Sequence, residues 1–213
     1  MSSGGAETMA IHILTLLLAS AQAAVAGVYQ AQQMEVGAAL ELQKNHHFRY
    51  QLDYGAVSEQ AEGDWAFDGK TVRLTTRPAP HQPIFELVRD DPAPAGEVVI
   101  TLERPGFGTE GYRLRAVGTD AATGEKGLVS AGDDGRIDSG GHKLSAIEPL
   151  IPVYGTPGGR FSLSGDRGHH LLLRFHANDI GHAAFDHEPL TLTPRGLVFN
   201  RYETQIRFIR VRP

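Results

Sequence analysis

Between residues 38 and 74 apolar and polar side chains alternate with a period of two. Ala38, Leu40 and Leu42 alternate with Ala39, Glu41 and Gln43, and Phe48, Tyr50, Leu52 and Tyr54 with His47, Arg49, Gln51 and Asp53. Successive side chains of a strand point to opposite faces, so this pattern suits a half-buried strand and no helix. Lys44-Asn45 separates the two runs as a turn. Further on, Trp65 and Phe67 share a face, Asp68-Gly69 follows, and Val72 and Leu74 return on that face. Asp-Gly between alternating runs is a strong hairpin signal. Residues 27–90 are therefore expected to form an antiparallel meander of about five strands, the last at 84–88.

The second half continues in the same style. Strands are expected at 98–102, 112–117, 127–130, 144–147, 161–163, 171–175, 197–199 and 204–211. Turn chemistry separates them, as in Arg104-Pro105-Gly106, Asp133-Asp134-Gly135, Pro157-Gly158-Gly159 and Pro194-Arg195-Gly196. The 25 glycines and 12 prolines supply such turns and disfavour long helices. Residues 90–97 (DDPAPAGE) read as a linker, which places a boundary near residue 93; the other reading is a long loop within one sandwich. The expected class is all-β, with a small antiparallel meander or barrel (27–92) followed by a β-sandwich (93–213).

The order GVYQ, then GAALELQKNHHFRYQLDYG, then EGDWAFDGKTVRLT resembles small secreted β-barrel domains of bacterial envelope proteins. The N-terminal barrel of copper-resistance-type lipoproteins is one of these. That family's lipoprotein cysteine and its Cys-x-x-Cys are missing, so its stress-sensing and copper roles are not implied. Residues 98–175 loosely resemble transthyretin-like and carboxypeptidase-regulatory-like sandwiches, with Asp133-Asp134-Gly135 at the position of their turn. The chain as a whole resembles exported proteins of proteobacteria, a likeness that implies fold more than activity.

Residues 11–26 (IHILTLLLASAQAAVA) form an apolar run ending in small residues. Ala24-Val25-Ala26 fits a signal-peptidase site with cleavage before Gly27, so 1–26 is expected to be a signal peptide; Ala21-Gln22-Ala23 is the alternative site. Residues 1–12 lack the Lys or Arg common in such leaders. The run is too short and alanine-rich for a membrane span, so no integral membrane segment is expected in the mature chain. The expected location is periplasmic or secreted. There are no cysteines, hence no disulfide framework and no thiol nucleophile. Net charge is −5 with no block of like charge, which argues against nucleic acid as a partner.

Chemistry concentrates in FHANDIGHAAFDHEPL, residues 175–190. His176, Asp179, His182, Asp186 and His187 are donors that zinc or copper accept. Against a metal site, Asn178-Asp179-Ile180-Gly181 is turn chemistry and no recognised zinc spacing occurs. The plainer reading is a strand, a turn and a second short strand near 182–185, with Phe185 packed and His182 wet. His46-His47 and His169-His170 each open a strand after a turn. Gly132 to Asp138 lacks the ligand spacing of a calcium loop. Nucleophile-elbow and Ser-x-x-Lys motifs do not occur. Tyr50, Tyr54 and Trp65 sit on the expected inner face of the meander, where aromatics either line a ligand cavity or fill it.

The expectation is thus a non-catalytic envelope protein that binds an unidentified small molecule or envelope protein, with no cofactor. Two alternatives stay open: a zinc- or copper-dependent protein built on residues 176–187, and a structural or assembly module with an exposed edge strand.

Overall fold

The computed structural model describes residues 24–103, 114–165 and 167–212, and among them it is almost entirely β. Its contacts divide the chain into two units. Residues up to Pro80 and from Gly181 onward form one, and His81–Ile180 form the other.

Strands are numbered in chain order. The first unit contains β1 (Gly27–Ala31), β2 (Val36–Leu42), β3 (His47–Tyr54), β4 (Val57–Phe67) and β5 (Thr71–Thr76). The next eight strands belong to the second unit. The first unit resumes with β14 (Glu188–Thr193), β15 (Gly196–Arg201) and β16 (Thr204–Arg212). Each strand pairs antiparallel with its neighbour, β5 pairs with β14, and β16 returns to β1. The result is a closed eight-stranded barrel in order β1-β16-β15-β14-β5-β4-β3-β2. Closure leaves no edge strand in this unit.

The alternation read from the sequence is the barrel's inside and outside. Along β4 the residues Glu59, Ala61, Gly63, Trp65 and Phe67 are buried, and Ser58, Gln60, Glu62, Asp64 and Ala66 are exposed. Phe48, Phe199 and Phe208, with Leu40, Leu42, Leu52, Leu74 and Leu190, are fully buried in the interior. Each such side chain contributes about 1.5–3 kcal/mol. At Gly63 a Cβ would lie 2.2 Å from the Thr75 carbonyl oxygen, so only glycine lets β4 and β5 approach there. The Asp68 carboxylate accepts from the Lys70 and Thr71 amides at 3.0 and 2.7 Å, fixing the expected hairpin turn.

The second unit contains β6 (Ile84–Ala93), β7 (Val98–Leu102), β8 (Arg115–Asp120), β9 (Lys126–Ala131), β10 (Ile137–Asp138), β11 (Leu144–Pro149), β12 (Phe161–Ser162) and β13 (Gly168–His176). A three-stranded sheet, β6-β13-β7, and a five-stranded sheet, β10-β9-β8-β11-β12, share one core. Val98, Ile100, Leu171 and Leu173 come from the first, and Ala116, Ala131, Ile137 and Ile147 from the second.

These boundaries differ from those expected. Residue 93 is not in a linker: Ala93 pairs with Gly168 at the end of β6, and Pro94 to Glu97 is a tight turn into β7. Pro92 is tolerated because β6 is an edge strand and needs no second donor row. The expected strand at 84–88 lies in β6 of the second unit, and residues 181–213 belong to the barrel. The strand β14 was unexpected because of Pro189. Its partner in β5 is Arg73, whereas the ladder to β15 begins only at Thr191, so the missing N–H leaves no gap on that side. Tyr112 and Arg113, and most of the expected leader, lie outside the described residues.

Candidate functional site

Counting back from Trp65 in twos along β4 leads to Glu59, an inward position that a barrel normally gives to an apolar residue. Glu59 is only 5% exposed. Arg201, at the end of β15, meets it with two nitrogens, Nε to Oε1 at 3.1 Å and Nη2 to Oε2. Tyr202 donates its hydroxyl to Oε2 at 2.6 Å. A guanidinium fork matched to a carboxylate is the geometry in which a buried ion pair is best satisfied. The Arg201 guanidinium lies 5.3 Å from the Phe185 ring centroid and 4.9 Å from that of Tyr202.

The turn that presents Tyr202 is strained. Tyr202 and Glu203, its two central residues, have φ of 49° and 58°. Such turns normally use Asn-Gly, because a side chain in this region costs about 1–2 kcal/mol. The bond to Glu59 holds Tyr202 in place against that cost. Burial raises the Tyr202 phenol above its usual range, and the neighbouring Glu59 carboxylate adds to the rise. Burial works against the charge on Arg201, but the hydrogen bonds and charge of Glu59 outweigh it and raise its pKa.

Beneath this cluster, Tyr50, Phe185 and Phe199 pack edge to face at 5.2–5.8 Å. The buried Tyr50 hydroxyl makes no hydrogen bond of ordinary geometry, yet it lies near enough to feel Glu59. Burial, then the Glu59 charge, raises its pKa. The interior at this end of the barrel is thus occupied by the protein's own side chains.

The outer wall offers room instead. A depression of about 540 Å³ lies over β2, β3 and β4. Cross-strand pairing puts Glu41, Arg49 and Glu62 in one row and Ala39, Gln51 and Gln60 in the next. Arg49 reaches Glu41 at 3.9 Å. His182 completes the rim, its Nε2 2.9 Å from Gln60 Nε2. The segment carrying His182 lies along β4: the Gln60 amide donates to Gly181 O and the Ala183 amide to Gln60 O, each at 2.8 Å. It occupies the stretch of β4 beyond Thr76, the last residue of β5, which pairs with Gly63. Ala183 and Phe185 then turn inward while His182 stays exposed.

Of the aromatics singled out from the sequence, Tyr50 and Trp65 are core residues and Tyr54 packs half-buried against the core. Trp65 donates its indole N–H to Gln43 O at 2.9 Å, and its ring stacks on His46 at 5.3 Å. The proposed metal donors are not brought together. His176 pairs with Glu86 at 2.7 Å, Asp179 accepts from the His81 amide at 2.8 Å, and His187 pairs with Asp186 at 2.8 Å. Among the described residues no group of three His, Cys, Asp or Glu could hold a metal ion. The 178–181 turn forms, with Asn178 at φ 44° and Ile180 N donating to Ala177 O. The expected second strand is reduced to one bridge, between His182 and Gln60. Sequence reading missed Glu59, Arg201 and Tyr202; the signal for Glu59 was its phase with Trp65.

No family model matches the chain, and no curated protein and no solved structure matches it either. Among the described residues no helix is long and apolar enough to cross a membrane.

Proposed function

We propose that this is an exported, non-catalytic binding protein of the periplasm or cell exterior, and that its barrel binds on the outer wall rather than inside. The observation that carries the reading is the depression over β2–β4, of mixed polar and apolar lining and within the ordinary size range of small-molecule sites. Gln51 and Gln60 each offer donors and an acceptor, as sugar hydroxyls do. Arg49 is engaged by Glu41, and Glu62 leaves the surface weakly acidic, so anionic ligands are disfavoured. The ligand class that suits these groups is a neutral, hydroxyl-rich saccharide. Export is supported by the apolar run at 11–26 and by the likeness to envelope β-barrel domains.

Saturation-transfer NMR with a panel of neutral tri- and tetrasaccharides tests the reading. At least one should bind, and Gln51→Ala with Gln60→Ala should weaken it at least about tenfold, the effect of losing one or two hydrogen bonds. No binding across the panel, or binding indifferent to both replacements, contradicts it.

A further inference from the structure

We infer that the mature chain begins at Ala24, through cleavage after Ala21-Gln22-Ala23, and that residues 24–26 are a built part of the barrel. This rests on the export reading above. Two small-x-small triplets stand in tandem, Ala21-Gln22-Ala23 and Ala24-Val25-Ala26, and either satisfies a signal peptidase. The fold separates them.

Val25 and Ala26 are 4% and 2% exposed and belong to the barrel's hydrophobic core. Tyr29, itself 3% exposed, donates its hydroxyl to Val25 O at 2.5 Å. Arg210 of β16 donates Nη1 to Ala24 O at 2.9 Å and Nη2 to Ala26 O. The N-terminal residues are therefore held by the strand they lead into, β1, through Tyr29 and by the neighbouring β16 through Arg210.

A cut before Gly27 undoes each of these contacts. The Tyr29 hydroxyl is buried and loses its acceptor. Arg210 loses both carbonyls. A cut before Ala24 keeps every contact and puts the ammonium on an exposed residue. In the proposed cut water adds across the Ala23–Ala24 peptide bond. Its oxygen goes to the carbonyl carbon of Ala23, which leaves as the leader's carboxylate, and the Ala24 nitrogen is protonated.

The full chain, tagged at its C-terminus, is expressed in a Gram-negative host, and the soluble periplasmic protein is read by N-terminal sequencing and intact mass. The expected sequence is Ala-Val-Ala-Gly-Val-Tyr, and Ala23→Phe should abolish that start, moving cleavage to the intact Ala24-Val25-Ala26 site or leaving precursor. A wild-type start at Gly27, or an Ala23→Phe chain processed like the wild type, overturns this inference and leaves export standing. An intact chain confined to the cytoplasm overturns the export reading and this inference with it.

Discussion

Tyr202 donates its hydroxyl to the Glu59 carboxylate at 2.6 Å, joining the last hairpin turn of the barrel to an inward position of β4. The two residues are 143 positions apart. Glu59 is therefore a fastening point between the N-terminal and C-terminal parts of the barrel. Its removal leaves Arg201 partly buried and unpaired. Glu59→Ala should cost about 3–5 kcal/mol of stability, as for other broken buried pairs. Denaturant unfolding followed by the fluorescence of Trp65, the one tryptophan, reads the barrel directly. The pair Glu59→Leu with Arg201→Met should recover much of the loss, because the unpaired charge is its main source. A loss under about 1 kcal/mol for Glu59→Ala contradicts the fastening role.

Glu203 sits exposed at φ 58° in the same turn. Glycine takes that conformation freely, although it adds entropy to the unfolded chain. Glu203→Gly should therefore stabilise the barrel by about 0.5–1 kcal/mol, the difference between relieved strain and added entropy. A melting temperature that falls would show that the turn carries no such strain.

Trp65 fills the opposite part of β4 and is 3% exposed. Trp65→Ala should cost about 3–5 kcal/mol, the range for emptying a large aromatic site. Trp65→Phe keeps most of the volume but removes the indole donor, leaving Gln43 O with the His46 amide alone, and should cost about 1–2 kcal/mol. Equal losses in the two variants would mean that the hydrogen bond, rather than the packing, matters at this position.

The second unit has an acid-sensitive point at Glu148, which accepts from Lys126 at 2.8 Å and Arg160 at 2.6 Å. The hydrogen bond from Lys126, then that from Arg160, lowers its pKa below 4.5. A depressed folded-state pKa contributes stability above the unfolded value, and that contribution is lost as pH falls through the folded one. Glu148→Gln should thus melt below the wild type near about pH 7, and the gap should narrow as pH falls below the ordinary carboxylate range and through the depressed folded-state pKa. A gap that does not change with pH would assign the difference to packing.

Local features were legible in the sequence and distant ones were not. The hairpins at 42–47 and 67–71 could be read because alternation and turn residues lie side by side. Closure could not, since β5 meets β14 only after a whole second unit intervenes. Pro189 hid a strand because a proline's effect depends on which side of it a neighbour lies. The Arg201-Tyr202-Glu203-Thr204 turn hid because its sequence carries no turn chemistry; the Glu59 contact supports it instead. The polar run at 175–190 drew attention to metals through composition alone. In the fold its donors do not converge, and Ala183, Phe185 and Leu190 of that run are buried in the barrel core.

Mapping a bound ligand onto the barrel tests the central claim, a binding site on the outer wall. Backbone and side-chain amide shifts are followed on ¹⁵N-labelled protein while the tightest-binding neutral saccharide of the panel is added. The account predicts shifts that cluster on Ala39, Glu41, Arg49, Gln51, Gln60 and His182, saturate with ligand, and vanish in the Gln51→Ala, Gln60→Ala protein. Shifts centred instead on Phe185 and Phe199, or confined to residues 81–180, would contradict it.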